Sequence, residues 1–164
     1  MKRRLPLLLF ILVLTAFLSE DIFAQRNVVQ AVERDPIAES EAQHNLDVAK
    51  NYFLLKKAYK AVLERFEETF AAYPDFSRMD EFLYYAGMSS LYLSNNEGKQ
   101  KVNMKIPDQA KRYEPARLRV EAAAYLTQIG EKYPESKFLA DAKKALAKIN
   151  SANEGASPPE VRAI

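Results

Sequence analysis

The sequence predicts an all-α protein in which antiparallel helix pairs pack side by side. Its 164 residues are 48% apolar and 28% charged, which is ordinary for one soluble domain with short appendages. Only four glycines occur, and β-branched residues seldom alternate with polar ones, so strands are disfavoured. Apolar residues instead recur three or four positions apart over most of the chain, which is the spacing of one helix face.

The N-terminal 24 residues have the features of a signal peptide. A basic head at residues 2–4 precedes an apolar run at 5–18, which is too short to span a bilayer comfortably. Ala24 is small enough for the position before a cleavage site. We expect export with cleavage after Ala24, and the alternative is an uncleaved N-terminal anchor.

Cysteine is missing from the whole sequence. A bacterial lipoprotein needs a cysteine to carry its lipid, so we expect an exported, periplasmic protein of the bacterial cell envelope that is not a lipoprotein. Without disulfides, packing alone must stabilise the fold. A chain of this length buries enough surface to do so.

Prolines mark boundaries between segments in the rest of the chain. We predict an N-terminal helical segment at residues 25–41, a helical domain at 42–150 and a flexible tail at 151–164. Within the domain, residues 95–114 lack a sustained apolar period and are rich in lysine, which predicts a long exposed loop with a short helical turn at 108–113. Two interpretations of this loop stay open: a solvated insertion, or a binding loop that orders on its partner.

The first helix pair has clear boundaries. Asp35 followed by Pro36 indicates a helix start, because Asp caps free amide groups and Pro is tolerated in the first turn. This helix is predicted to reach about Leu55. After a lysine-rich turn, its partner is predicted over residues 58–73 and ends because Pro74 cannot continue a helix.

This pair fits the spacing of a tetratricopeptide repeat (TPR), a unit of about 34 residues. Counted back from the terminating proline, the apolar residues at the positions that such a unit needs are Leu46, Ala49, Phe53, Tyr59, Val62 and Phe66. A unit of this kind performs no chemistry. It stacks on its neighbours and presents a surface.

The second pair follows the same plan. Ser77 and Asp80 form a capping-box pattern, which predicts a third helix from there to about Ser94. Its Ala86-Gly87 step indicates where a neighbouring helix must come close.

A fourth helix is predicted from Pro115 to Tyr133-Pro134, which repeats the Tyr73-Pro74 ending 60 residues earlier. A last helix at about 136–150 is expected to cover the open apolar side of the stack. The predicted fold is therefore about two TPR-like pairs stacked as a short right-handed solenoid with a C-terminal capping helix.

Several segments carry a family resemblance. They are Lys-Ala-Tyr-Lys-Ala-Val-Leu-Glu-Arg-Phe at 57–66, Tyr-Pro-Asp-Phe-Ser at 73–77, Asp-Glu-Phe-Leu-Tyr-Tyr-Ala-Gly at 80–87 and Lys-Tyr-Pro-Glu-Ser at 132–136. Over residues 42–150 the chain resembles the TPR proteins of the BamD group, which are bacterial outer-membrane assembly lipoproteins and their short relatives. The resemblance implies a periplasmic helical adaptor that helps the β-barrel insertion machinery to receive or position outer-membrane proteins.

The sequence contains few of the residue combinations on which enzyme active sites depend. It has one histidine, His44, and no cysteine, so it can assemble neither a Cys-His nucleophile pair nor a His-rich metal cluster. Carboxylates at Glu64, Glu67 and Glu68 fall on the polar side of a helix, and no glycine-rich phosphate loop is present. We expect no catalysis and no cofactor. A net charge of +2 without a concentrated basic face also disfavours nucleic acid as a partner.

A binding groove is the remaining prediction. In a stack of helix pairs, the first helix of each pair lines the concave face. The residues nominated on this rule are Asp47, Asn51, Leu55, Tyr84, Tyr85, Met88 and Tyr92. Tyrosine and methionine suit peptide-binding surfaces, although Tyr85 and Tyr92 could instead pack against a neighbouring helix.

Envelope proteins or extended peptides are the expected partners, including the outer-membrane assembly machinery. The alternatives are a structural module that associates with itself, and a general envelope scaffold without a role in outer-membrane assembly.

Overall fold

The computed structural model describes residues 34–154. Over that range the chain forms six α-helices and one π-helical turn, and no strand occurs there. The helices are α1 (Pro36–Asn51), α2 (Tyr59–Ala72), α3 (Met79–Ser94), α4 (Pro107–Arg112), α5 (Pro115–Lys132) and α6 (Leu139–Glu154). Since α1 packs on α2 and α3 packs on α5, the predicted all-α class with TPR-like helix pairs in a short solenoid is confirmed.

Some predictions fall on residues that the structure does not describe. The predicted signal peptide at 1–24 lies outside the described residues, as do residues 25–33 of the N-terminal segment and 155–164 of the tail. At the C-terminal end, α6 continues to Glu154, beyond the helix end predicted at residue 150.

The start of α1 is capped as predicted. The Asp35 Oδ1 accepts a hydrogen bond from the Ile37 amide at 2.9 Å, and Pro36 occupies the first turn. Along the inner side of α1, Leu46 and its helical neighbours are fully buried against Val62 of α2. The cap and the apolar stripe together fix the position of the first pair.

The connection from α1 to α2 is more structured than a simple turn. The chain continues from α1 into a π-helical turn, Tyr52–Lys56, which ends at Lys57 in the left-handed conformation with φ of 49°. The Phe53 ring lies 5.5 Å from Tyr59 and 5.0 Å from Tyr85, centroid to centroid. This turn therefore joins the first pair to α3.

The two Tyr-Pro endings are structurally equivalent. The Tyr73 amide donates to the Thr69 carbonyl at 2.8 Å, and the Tyr133 amide donates to the Ile129 carbonyl at 3.0 Å. Both tyrosines have nearly the same backbone conformation, with φ of −135° and −133° and ψ of 63° and 61°. The following proline stops each helix because it has no amide hydrogen to donate.

The predicted capping box of α3 is wrong. Arg78 stands at the N-cap without a side-chain capping bond. The Ser77 hydroxyl donates to Glu39 of α1, whereas the Asp80 Oδ2 accepts from the Ser136 hydroxyl at 2.5 Å. The two side chains thus bind neighbouring elements of the stack, and the sequence pattern alone does not distinguish this from a local cap.

The most extensive helix contact within residues 34–154 joins α3 to α5. Phe82 of α3 and Leu126 of α5 are buried, and Gly87 lies directly against Leu126. Phe66 of α2 links the two pairs, since its ring centroid lies 5.5 Å from Phe82 and 4.9 Å from Tyr125. The core is therefore continuous through α2, α3 and α5.

The long loop between α3 and α5 is held against α2. The Lys99 amide donates to the Lys57 carbonyl at 2.9 Å, and the Gln100 Oε1 accepts from the Ala61 amide at 3.2 Å. The predicted short helical turn is present as α4, and Tyr113 behind it is buried.

Candidate functional site

A cleft of about 390 Å³ lies between α3 and α6. The residues that line it are Tyr84, Met88, Leu91, Tyr92, Asn95, Glu97, Asp141, Lys144, Ala145 and Lys148. The α3 members recur at helical spacing, so the cleft follows one face of that helix over two turns. Its wall on α3 is aromatic and thioether, and its wall on α6 is mainly charged.

One end of the cleft is fixed by an aromatic stack. The Tyr84 ring is stacked on Phe138, with centroids 4.8 Å apart and ring planes 22° from parallel. Phe138 directly precedes α6 and also makes an edge contact with Tyr85 at 6.1 Å. These contacts hold the start of α6 against α3 and thereby set the width of the cleft.

Near the other end, the first pair supports the cleft. The Tyr92 ring lies 5.0 Å from Tyr59 and 5.9 Å from Phe53, centroid to centroid. Tyr92 is half-buried, so it packs on the first pair with one side and lines the cleft with the other.

The charged side of the cleft carries both positive and negative side chains. Asp141 faces the cleft together with Lys144 and Lys148, and Glu97 adds a second carboxylate from the loop. Burial, and then the negative charge of Asp141, raise the pKa of Tyr84 above its ordinary value. Its hydroxyl, like that of any tyrosine at neutral pH, can donate a hydrogen bond.

A buried ion cluster ties the first helices of the stack together. The Glu81 carboxylate is only 3% exposed, and it accepts from Lys50 Nζ of α1 at 3.0 Å and from Arg78. Lys137 Nζ, just before α6, lies 3.9 Å from the same carboxylate. Burial alone would raise the pKa of Glu81, but the hydrogen bonds and charges of Lys50 and Arg78 outweigh it and hold the pKa below its usual value.

His44 lies elsewhere, on the outer side of α1. It lines a separate shallow cleft of about 450 Å³ with Glu41 and Tyr73. The imidazole is exposed, and the Tyr73 hydroxyl is bound to Glu41. Among residues 34–154, no three His, Cys, Asp or Glu side chains are grouped so that they could hold a metal ion.

None of the helices within the described part of the chain is both long and apolar enough to cross a bilayer.

Comparison with known proteins places the chain in a family. A family model described as "YfiO: Outer membrane lipoprotein" matches residues 24–153, which is most of the sequence. The chain belongs to the YfiO family. Neither the curated proteins nor the solved structures include one that matches it.

Membership of the YfiO family confirms the resemblance to the BamD group. This is a TPR-type family of outer-membrane lipoproteins linked to outer-membrane assembly, and its members act through protein interaction. The family and the all-helical structure confirm the predicted TPR-like helical scaffold that binds protein.

The predicted localisation needs correction. The signal-peptide pattern predicts a periplasmic protein, and the missing cysteine predicts that it is not a lipoprotein. The YfiO family consists of outer-membrane lipoproteins, and the cysteine content of this chain does not settle whether the protein carries a lipid. The step from composition to anchoring was therefore wrong.

The structure separates the nominated groove residues of this YfiO-family protein into three groups. Tyr84, Met88 and Tyr92 line the α3–α6 cleft. Tyr85 is 8% exposed and lies in the core. The α1 members and the π-helical turn residue lie on the surface outside the cleft lining: Asp47, Asn51 and Leu55.

Sequence reasoning missed the α6 wall of the cleft. The apolar stripe of this helix predicts a cap, and that prediction concerns only its buried side. Asp141, Lys144 and Lys148 recur at helical spacing on the other side, which is a detectable signal for one polar face. The sequence does not show that this face turns toward Tyr84 and Met88, because that depends on the Tyr84–Phe138 stack.

Proposed function

We propose that this YfiO-family protein is a non-enzymatic adaptor that binds an extended segment of an envelope protein in the α3–α6 cleft during outer-membrane protein assembly. The observation that carries the proposal is the cleft itself, in which tyrosine and methionine side chains of α3 face a wall of mixed charge on α6. Aromatic and thioether groups give large contact areas with adaptable geometry.

The dimensions of the cleft fit a short peptide. From Tyr84 to Tyr92, α3 rises about 12 Å, which equals about three or four residues of an extended chain. Apolar side chains of such a segment would contact Met88 and Leu91. Its polar groups would meet the protonated Tyr84 hydroxyl and the charges of α6.

The α3–α6 cleft is small, but its walls are held in place before a partner binds, and this preorganisation favours binding. The Tyr84–Phe138 stack and the Glu81 ion cluster connect α1, α3 and the start of α6 before any partner arrives. Binding then orders few side chains, which lowers its entropic cost. Because the contact area is small, we expect a dissociation constant of about micromolar order.

An adaptor role also agrees with the chemistry of the chain. Its one histidine is exposed and lies outside the cleft, and the sequence contains no cysteine to act as a nucleophile. The lysines and carboxylates of the cleft fit orientation of a bound segment better than acid-base catalysis, because no nucleophile or metal group accompanies them in the described cleft lining.

Site-specific photocrosslinking in cells tests the proposal. A photoreactive residue replaces Met88 in the cleft, and a control chain carries it at Val120, which is 70% exposed on α5. We expect position 88 to crosslink reproducibly to a defined segment of an envelope protein and position 120 not to do so. Equal products from both positions, or none from position 88, would reject the cleft as the binding site.

Charge reversal provides a second test with a matched control. Lys144→Glu combined with Lys148→Glu changes the α6 wall, whereas Lys143→Glu changes an exposed lysine of the same helix that does not line the cleft. We expect that the double variant reduces crosslinking from the photoreactive residue at position 88 and that Lys143→Glu does not. Unchanged melting temperatures would show that both variants remain folded.

Self-association is a second candidate function. Two adjacent large apolar side chains of the π-helical turn, Leu54 and Leu55, are 58% and 73% exposed. A second copy could bury them. Light scattering over a range of concentrations decides this, because a monomer at all concentrations rules it out and a dimer lost in Leu54→Ser with Leu55→Ser supports it.

A further inference from the structure

The loop after α3 concentrates positive charge. Residues 99–112, which we call the basic loop, contain four lysines and one arginine but only one acid, Asp108, so their net charge is +4. The whole chain carries +2, so the remaining residues together carry −2. The basic loop therefore differs in charge from the rest of the protein.

The lysines of this loop are not neutralised by neighbouring acids. Arg112 pairs with Glu67 of α2 at 2.6 Å. Within residues 34–154, none of the four lysines forms an ion pair, and all four are exposed. These lysines are Lys99, Lys101, Lys105 and Lys111.

The same loop exposes large apolar side chains. Met104 is 56% exposed and Ile106 is 41% exposed, with Lys105 between them. The three residues belong to a tight turn, because the Ile106 amide donates to the Asn103 carbonyl at 3.1 Å. Turn corners favour small polar residues, so a methionine at this corner is not explained by the turn.

Several amides of the turn are hydrogen-bonded within the chain. The Lys105 amide donates to Asn103 Oδ1 at 3.1 Å, and the Asn103 amide donates to Gln109 Oε1 of α4 at 3.2 Å. These bonds lower the cost of moving the turn into an apolar medium, because free amides oppose that transfer. Exposed apolar side chains next to lysines combine the two contributions to membrane-surface binding, which are burial of apolar area and attraction to anionic lipids.

We propose that the basic loop docks on an anionic phospholipid surface. Met104 and Ile106 enter the boundary between headgroups and acyl chains, and Lys99, Lys105 and Lys111 contact the phosphates, whereas Lys101 Nζ donates to the Asn96 carbonyl at 2.7 Å. Charge complementarity favours this occupant, because Lys105 stands between the two apolar residues and Lys side chains can reach headgroups while their methylene stems stay buried. This surface is separate from the α3–α6 cleft, so either proposal can fail without the other.

A local fluorescence readout tests the inference on the full-length chain. Since the sequence has no cysteine, Met104→Cys accepts a single nitrobenzoxadiazole label, and Val120→Cys accepts the same label on exposed α5 as a control. The probes are vesicles of phosphatidylglycerol with phosphatidylethanolamine, compared with vesicles of phosphatidylcholine. A label at the loop reports its own insertion and is unaffected by any apolar contact of the N-terminal residues.

We expect a blue shift and a rise in emission for position 104 with the anionic vesicles, and no change for position 120. Lys105→Gln with Lys111→Gln should weaken the response about 25-fold, since each lysine near an anionic surface contributes about fivefold. Lys132→Gln with Lys143→Gln removes two exposed lysines outside the loop and should leave it nearly unchanged. No shift at position 104, the same shift at both positions, or equal loss in both lysine pairs would overturn the proposal.

Discussion

Gly87 of α3 lies in direct contact with Leu126 of α5. A Cβ placed on Gly87 would come within 2.7 Å of the Leu126 Cγ and 3.4 Å of the Ala122 carbonyl oxygen. The close crossing of α3 and α5 therefore depends on the missing side chain at this position. This crossing also sets the position of the α3 face that lines the cleft.

Gly87→Ala should destabilise the fold by about 1–3 kcal/mol, because the added methyl group forces Leu126 or the helix axis to move. Gly130→Ala is the matched control, since a Cβ there meets only Leu139 at 3.7 Å and alanine favours helix. We expect the control to be neutral or stabilising by up to about 1 kcal/mol. Urea unfolding of both variants measures the difference, and equal effects would contradict the packing argument.

This contact shows how much of the fold the sequence contains. The Ala86-Gly87 step predicts a close helix approach, and the Tyr-Pro endings predict the pair boundaries, because both depend on local residue properties. The partner Leu126 does not follow from the pattern. It depends on how α5 returns after a long loop, which only the three-dimensional packing decides.

Glu81→Gln should lower the free energy of unfolding by about 1.5–3 kcal/mol at neutral pH, because it removes a buried charge that Lys50 and Arg78 both contact. Glu68→Gln is the control. Its carboxylate is 61% exposed and pairs with Arg65 at 2.8 Å, so we expect a change below about 1 kcal/mol. Denaturant unfolding at pH 7 measures both variants.

The contribution of Glu81 should also depend on pH. Its pKa in the folded protein is lower than the ordinary value of 4.5, so its stabilisation is complete above that value and is lost as the pH falls through the lowered pKa. We expect the difference between wild type and Glu81→Gln to shrink toward zero under acid conditions. A difference that stays constant from pH 7 to pH 3 would exclude this linkage.

The Glu81 cluster also explains why the cleft was only half predicted. The sequence places Tyr84, Met88 and Tyr92 on one face of α3, since that requires only helical spacing. It does not reveal that Glu81 is buried, because only Arg78 is a local partner, whereas Lys50 and Lys137 come from α1 and from the chain before α6. Ser77 and Asp80 mislead for the same reason, since their partners Glu39 and Ser136 lie on other elements.

The Tyr125 hydroxyl should lose its proton at a higher pH than an ordinary tyrosine does. Burial, and then the charges of Glu121 and Glu67, raise its pKa to about 12. Its stabilising contribution is therefore complete below the ordinary value near 10 and is lost as the pH rises through about 12, at a cost of about 1–3 kcal/mol. Absorbance at 295 nm of wild type minus Tyr125→Phe isolates this step, and a step near pH 10 would contradict it.

Gly98→Ala should detach the start of the basic loop from α2. Gly98 has φ of +93°, and a Cβ there would come within 2.7 Å of the Tyr59 ring and 2.9 Å of the Lys57 carbonyl oxygen. Both the backbone strain and the clash oppose the native position, so we expect a loss of about 1–3 kcal/mol. Asn96→Gly provides the control, because Asn96 already has φ of 58° and the change should stay within about 0.5 kcal/mol.

Limited trypsin digestion tests directly whether the basic loop stays against α2. Lys99 and Lys101 lie next to the anchoring bond between the Lys99 amide and the Lys57 carbonyl, so their cleavage requires the loop to leave α2. Gly98→Ala should speed cleavage at these two lysines while cleavage at Lys143 on α6 keeps its rate. If all three sites accelerate together, the variant unfolds globally and Gly98 does not act by anchoring the loop.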